Sequence, residues 1–196
     1  MNQEKPQREF FENEIILKLY KGFNRSDYEN RISFVKEQAE KVREFPEADI
    51  FEKNLNSFIT HCYLDAEKHT EAIPYLKKEV DLSTPEKDQF YFLPIGLLIR
   101  SFRKTGEFSR AFKWNEKAIG LFEHASSFDK LNVLKEYAKL IRDSGEAFNW
   151  AYKAIIKELI DDLGFTEKLE DPIETIYSID NTHRIWNKKL GEIVLK

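Results

Sequence analysis

The nine residues from Ala111, AFKWNEKAI, return at Ala147 as AFNWAYKAI. A looser form, AIPYLKKEV, starts at Ala72, and a weaker one, RISFVKEQA, at Arg31. The successive spacings are 41, 39 and 36 residues. Self-similarity at periods of about 20–50 residues means a stack of one small unit, because a single unit cannot bury its apolar face alone. This is the strongest constraint the chain places on its fold.

Within each phrase the apolar residues fall at helical spacing. Phe108, Ala111, Phe112, Ala118, Ile119 and Phe122 make one broad stripe. The alanine pairs Ala111 with Ala118 and Ala147 with Ala154 let a neighbouring helix come close, so all four are expected to be buried. Trp114 and Trp150 are expected to lie mostly buried between units, and Tyr75 stands in the matching place of the earlier phrase. Lys78, Lys117 and Lys153 read as a solvated face. Gly106 and Gly145 supply the positive φ that ends a helix. Another apolar-periodic segment precedes each: YFLPIGLLIRSF before Gly106 and KLNVLKEYAKLI before Gly145. Each unit is therefore helix, short turn, helix. Thr84 with Pro85, and Asp171 with Pro172, read as helix starts. With 7 Gly and 6 Pro in 196 residues, few breakers interrupt these helices.

These features resemble the tetratricopeptide repeat family. The resemblance rests on the turn glycines Gly106 and Gly145, the alanine pairs, and Leu98 and Phe102 in the first helix of a unit. It spans roughly residues 50 to 160. The chain departs from the family in its longer repeat and in lacking the early tryptophan, the glycine of the Leu-Gly pair and the closing proline. The resemblance implies an all-α fold of stacked antiparallel helix pairs, a TPR-like α-solenoid forming a single right-handed superhelical domain of about eight to ten helices. Residues 8–46 are expected to form an N-terminal helix pair, residues 47–164 three TPR-like units, and residues 165–196 a C-terminal capping helix or helices.

Chemistry-bearing motifs are sparse. No phosphate-binding glycine loop, zinc-protease signature or nucleophile elbow is present. His61, Asp65 and His69 lie four apart, but His69 is expected in a turn and nothing nearby completes a metal site. His124 and His183 have no evident partner in sequence, and Cys62 reads as a small buried hydrophobe. No catalytic, cofactor or metal role is assigned, and no enzyme activity is expected.

In a tetratricopeptide stack the first helices line the concave surface. In that register Leu98, Ile99 and Phe102 pack inward. Arg100, Arg103 and Lys104 then project into the groove, joined by Lys135, Lys139 and Arg142 from the next unit. Asn54 and His61 would add polar groups from the preceding one. Clustered cations in a concavity focus potential and attract an anionic segment, so these eight residues are the candidate partner-binding set. Chaperone-binding members of the family grip a terminal carboxylate with Lys and Asn. Here Ile16 and Tyr20 fall where those would be sought, and that activity is not carried over.

The expected function is thus a non-catalytic protein- or peptide-binding scaffold or adaptor with a partly basic concave groove. Its partner is expected to be a protein or peptide with an acidic segment. One alternative is an immunity or antitoxin-type inhibitor that neutralises a partner protein. A second is a nucleic-acid-binding helical repeat, using the interleaved aromatic and basic residues of SFRKTGEFSR. The net charge of −4 and pI near 5.7 disfavour the latter. One cysteine, no signal-peptide pattern and a longest apolar run of ten residues (Phe90 to Ile99) lead to the expectation of a cytoplasmic protein without a membrane span.

Overall fold

The computed structural model describes residues 10–43 and 48–146 and, beyond these, residues 153–154, 156–157 and 160–161. Among the described residues there are helices and no strand. In chain order they are α1 (Asn13–Lys21), α2 (Tyr28–Val42), α3 (Ala48–Asp65), α4 (His69–Asp81), α5 (Phe92–Lys104), α6 (Phe108–Ile119), a 3-10 turn (Phe122–His124) and α7 (Ser127–Asp143). The chain divides into two compact units, Met1–Thr84 and Pro85–Lys196.

In the first unit α1 packs on α2, α2 on α3 and α3 on α4. Leu19, Val35, Ala39, Ile59 and Cys62 meet at the centre. Phe11 joins them, and Phe10, Phe11, Phe51 and Phe58 form a ring cluster with centroids 4.6 to 6.0 Å apart. In the second unit α5 packs on α6 and on α7, and α6 on α7. Ile95, Leu98, Ile99 and Phe102 on α5, Ala111 and Ala118 on α6, and Leu134, Tyr137 and Ile141 on α7 are all buried. Burying a side chain of Leu or Ile size contributes about 2 kcal/mol. Leu98, Ile99 and Phe102, expected inward on α5, are among its buried residues.

The turns explain the repeat. Backbone with positive φ occurs at Glu67 (56°), Gly106 (77°) and Gly145 (83°), each 39 residues after the last. After α3 the Lys68 N–H donates to the Tyr63 carbonyl at 2.8 Å, and after α5 the Glu107 N–H donates to the Phe102 carbonyl at 2.8 Å. These are the wrapped helix ends that a left-handed residue permits. Glycine meets that requirement at Gly106 at no cost, whereas Glu67 meets it with a side chain. α7 starts where Ser126 and Asp129 cap each other's backbone N–H.

Several expectations are corrected. Thr84 and Pro85 start no helix; residues 85–87 form a turn and α5 begins at Phe92, with Pro94 in its first turn. Ala111 and Ala118 are buried, but Ala154 is exposed while Ile156 and Ile160 are buried. Matching letters do not fix helical phase, because one residue turns the face by about 100°. Trp114 is half-buried, with the Lys117 ammonium 4.6 Å from its ring centroid, so its ring faces water in part. Ala147, Trp150, His183, the start at Asp171–Pro172 and the C-terminal cap lie outside the described residues.

Aligning the phrases on Arg31, Ala72 and Ala111 places four of the buried polar groups, Arg31, Gln38, Glu79 and Asn115, at equivalent positions. Ala72 and Ala111 are fully buried, and Arg31, in the same place, is 1% exposed. Its guanidinium is neutralised by Asp65 at 2.8 Å, also donates to the Arg25 carbonyl, and lies 5.7 Å from the Tyr20 ring centroid. Seven residues further on stand Gln38, Glu79 and Ala118, all buried. Glu79 accepts a hydrogen bond from Thr60 at 2.7 Å. Four residues after the start stand Val35, Leu76 and Asn115, all buried, and the Asn115 carboxamide makes no hydrogen bond.

Candidate protein-binding groove

The run FYFLPIGLLI places ten apolar residues in a row, almost all of them on α5. A helix can bury only one stripe when it packs from one side, so some of these side chains must face outward. Phe92, Ile95, Leu98 and Ile99 take the inner side. Phe90 and Leu93 are left 60% and 51% exposed. On α7, Phe128 is left 65% exposed.

These side chains rim a groove between the N-terminal halves of α5 and α7, with a volume of about 550 Å³. Leu93, Gly96, Leu97 and Arg100 line it from α5, and Phe128, Asn132, Lys135 and Glu136 from α7. The two helices run the same way: their starts share the groove, and Arg103 near the end of α5 reaches Glu136 and Asp143 further along α7. Gly96 forms part of the floor, and a Cβ built there meets nothing within 4 Å. Large exposed aromatic and aliphatic groups beside a concavity are what protein-binding surfaces present.

The eight residues expected at a binding surface are distributed differently from the sequence reading. Arg100 and Lys135 are brought together at the groove. Arg100 is exposed and has no ion-pair partner among the described residues, and Lys135 lies 3.5 Å from the Asn132 side chain. Lys104 is exposed at the end of α5. Arg103 does not project into solvent: it is 8% exposed and bridges Glu136 and Asp143. Lys139 donates to Glu136 at 2.9 Å, and Arg142 pairs with Asp143 at 2.8 Å. Half of the expected basic face is therefore an ion network closed by its own carboxylates. Partial burial pushes the Asp143 carboxyl up, but hydrogen bonds from Arg142 and Arg103 outweigh it and hold the group below its usual range. Asn54 and His61 belong to the first unit, both half-buried on α3, with His61 Nδ1 2.8 Å from the Ser57 carbonyl oxygen.

Sequence reasoning missed Phe90, Leu93, Gly96 and Phe128. The signal was the length of the apolar run and a glycine inside a helix, a position that costs about 1 kcal/mol relative to alanine. Of the metal reading, Asp65 is committed to Arg31, and among the described residues no three ligating side chains converge. His124, isolated in sequence, lies 3.3 Å from Glu123 and 3.7 Å from Glu86. Among the described residues no helix is long and apolar enough to cross a membrane.

No family model matches the chain, and no curated protein matches it. A solved structure does: nearly identical TPR-like repeats of a Podosopora anserina protein assigned as a kinesin light chain. The match has 11% identity and a TM-score of 0.59, and covers 92% of this chain and 90% of that one. The likeness is one of fold, and the fold it shows is a TPR-like array of helical pairs.

Proposed function

We propose that the chain is a non-catalytic protein-binding module that takes a segment of another protein, bearing acidic residues, into the groove between α5 and α7. The observation that carries this reading is the groove itself: exposed Phe90, Leu93 and Phe128 beside the cations Arg100 and Lys135. The apolar groups supply contact area, and the cations set encounter rate and selectivity for negative charge. The carboxylates interleaved with Arg103, Lys139 and Arg142 count against a nucleic-acid backbone as the partner. TPR-like repeats are a scaffold built for such binding, which supports an adaptor or inhibitor of proteins over an enzyme.

Affinity capture from the native source with mass spectrometry names the partner. The purified pair is then compared with a chain carrying Arg100→Glu and Phe128→Ala. The reading expects association with the true partner to weaken sharply while helix content and thermal midpoint hold. A partner bound equally well by the double variant overturns it.

A further inference from the structure

The two walls of the groove are laid out alike. On α5, apolar Leu93 is followed seven residues later by Arg100; on α7, apolar Phe128 is followed seven residues later by Lys135. Seven residues are about 10 Å along a helix axis. Because α5 and α7 point the same way, the apolar pair stands at one end of the groove and the cationic pair at the other. Side chains on both helices lean toward the helix start, so the separation is preserved at their tips. Gly96 lies between the two ends on α5 and leaves the floor open.

Resting on the binding reading above, we propose that this groove takes an extended peptide segment with a bulky apolar side chain and, three residues away, a carboxylate. An extended chain advances about 3.3 Å per residue, so three residues span the 10 Å between the Leu93–Phe128 end and the Arg100–Lys135 end. The apolar residue fills the space over Gly96 and Leu97 beside Phe128. The carboxylate accepts hydrogen bonds from the Arg100 guanidinium, which has no carboxylate of its own among the described residues. Glu136 does not compete for Arg100, because Arg103 and Lys139 already hold it. Asp129 is likewise occupied, by the Ser126 backbone and hydroxyl. A peptide fits better than a small molecule because the rim groups are more than half exposed, so a ligand must extend past the cavity to cover them.

The test is panning of a phage-displayed random dodecamer library against the full chain, followed by fluorescence anisotropy with synthetic copies of the enriched peptides. The variants are Gly96→Leu, which plugs the floor, Gly96→Ala as its folding control, and Arg100→Gln. The proposal expects enriched peptides to share an apolar residue and an Asp or Glu three apart. It expects Gly96→Leu to abolish binding. Arg100→Gln, or Asp→Asn in the peptide, should each weaken binding about tenfold, and the two losses should not add. Peptides lost with Gly96→Leu but lacking the spaced carboxylate overturn this inference and leave the binding groove standing. No enrichment, or binding indifferent to Gly96→Leu while Gly96→Ala shows an intact fold, overturns both.

Discussion

Arg103 Nη2 lies 3.1 Å from Glu136 Oε2, and the same carboxylate is held at 2.9 Å by Lys139, with Arg103 and Glu136 both nearly excluded from solvent. Removing one partner of a buried pair strands the other, which costs about 3–5 kcal/mol. Arg103→Ala is therefore expected to lower the unfolding free energy by about 3 kcal/mol, read by urea denaturation. Arg103→Lys should recover only part of this, because a single ammonium cannot span Glu136 and Asp143 as the guanidinium does. A loss below about 1 kcal/mol, the value of an exposed pair, would show that the network does not hold α5 to α7.

Glu79 should make the chain more stable in mild acid than in mild base. Burial raises its carboxyl from 4.5 to about 7, opposed by hydrogen bonds from Thr60 and Ser57 and by the charge of Lys53. The folded chain thus favours the neutral acid. Its stabilising effect is complete below pH 4.5, falls as pH rises to about 7, and is gone above that. The shift corresponds to at most about 3 kcal/mol. Melting curves from pH 5 to pH 8 should show a declining midpoint for the parent and a flatter profile for Glu79→Gln. Parallel profiles would place the acid elsewhere.

Asn115 should be replaceable at a gain. Its carboxamide is fully buried without a hydrogen bond, and the same position of the earlier phrases holds Leu76 and Val35. An unsatisfied buried polar group costs about 1–3 kcal/mol. Asn115→Val is expected to raise stability by about 1 kcal/mol, while Asn115→Asp, which buries a charge, should destabilise strongly. A clear loss for the valine variant in calorimetry would contradict the alignment of the phrases.

Cys62 should resist alkylation in the folded chain. Burial pushes its thiol up to about 11, against the lowering influence of Arg31. The reactive thiolate is then scarcer by about a hundredfold than at an ordinary cysteine. Iodoacetamide at pH 8 is expected to label Cys62 at least that much more slowly in the native chain than in guanidinium. Comparable rates would mean that α3 opens readily.

The helix-pair fold is legible in the sequence. Helical periodicity, the recurring phrase and the glycines of the turns sufficed, because local hydrogen bonding and one buried stripe set the form of each helix pair. Leu98, Ile99 and Phe102 were readable as inward for the same reason. Which charges stay unpaired depends on packing between helices distant in sequence. Arg100 and Arg103 are three residues apart on one helix, yet one faces a groove and the other is locked between Glu136 and Asp143 on α7. A helix shows its own periodicity in sequence, but the carboxylates that neutralise Arg103 lie more than thirty residues away. The phase of α7 against α5 is set by how their side chains interlock. That phase also left Leu93 and Phe128 uncovered and set them, with Gly96 and Arg100, around one cavity.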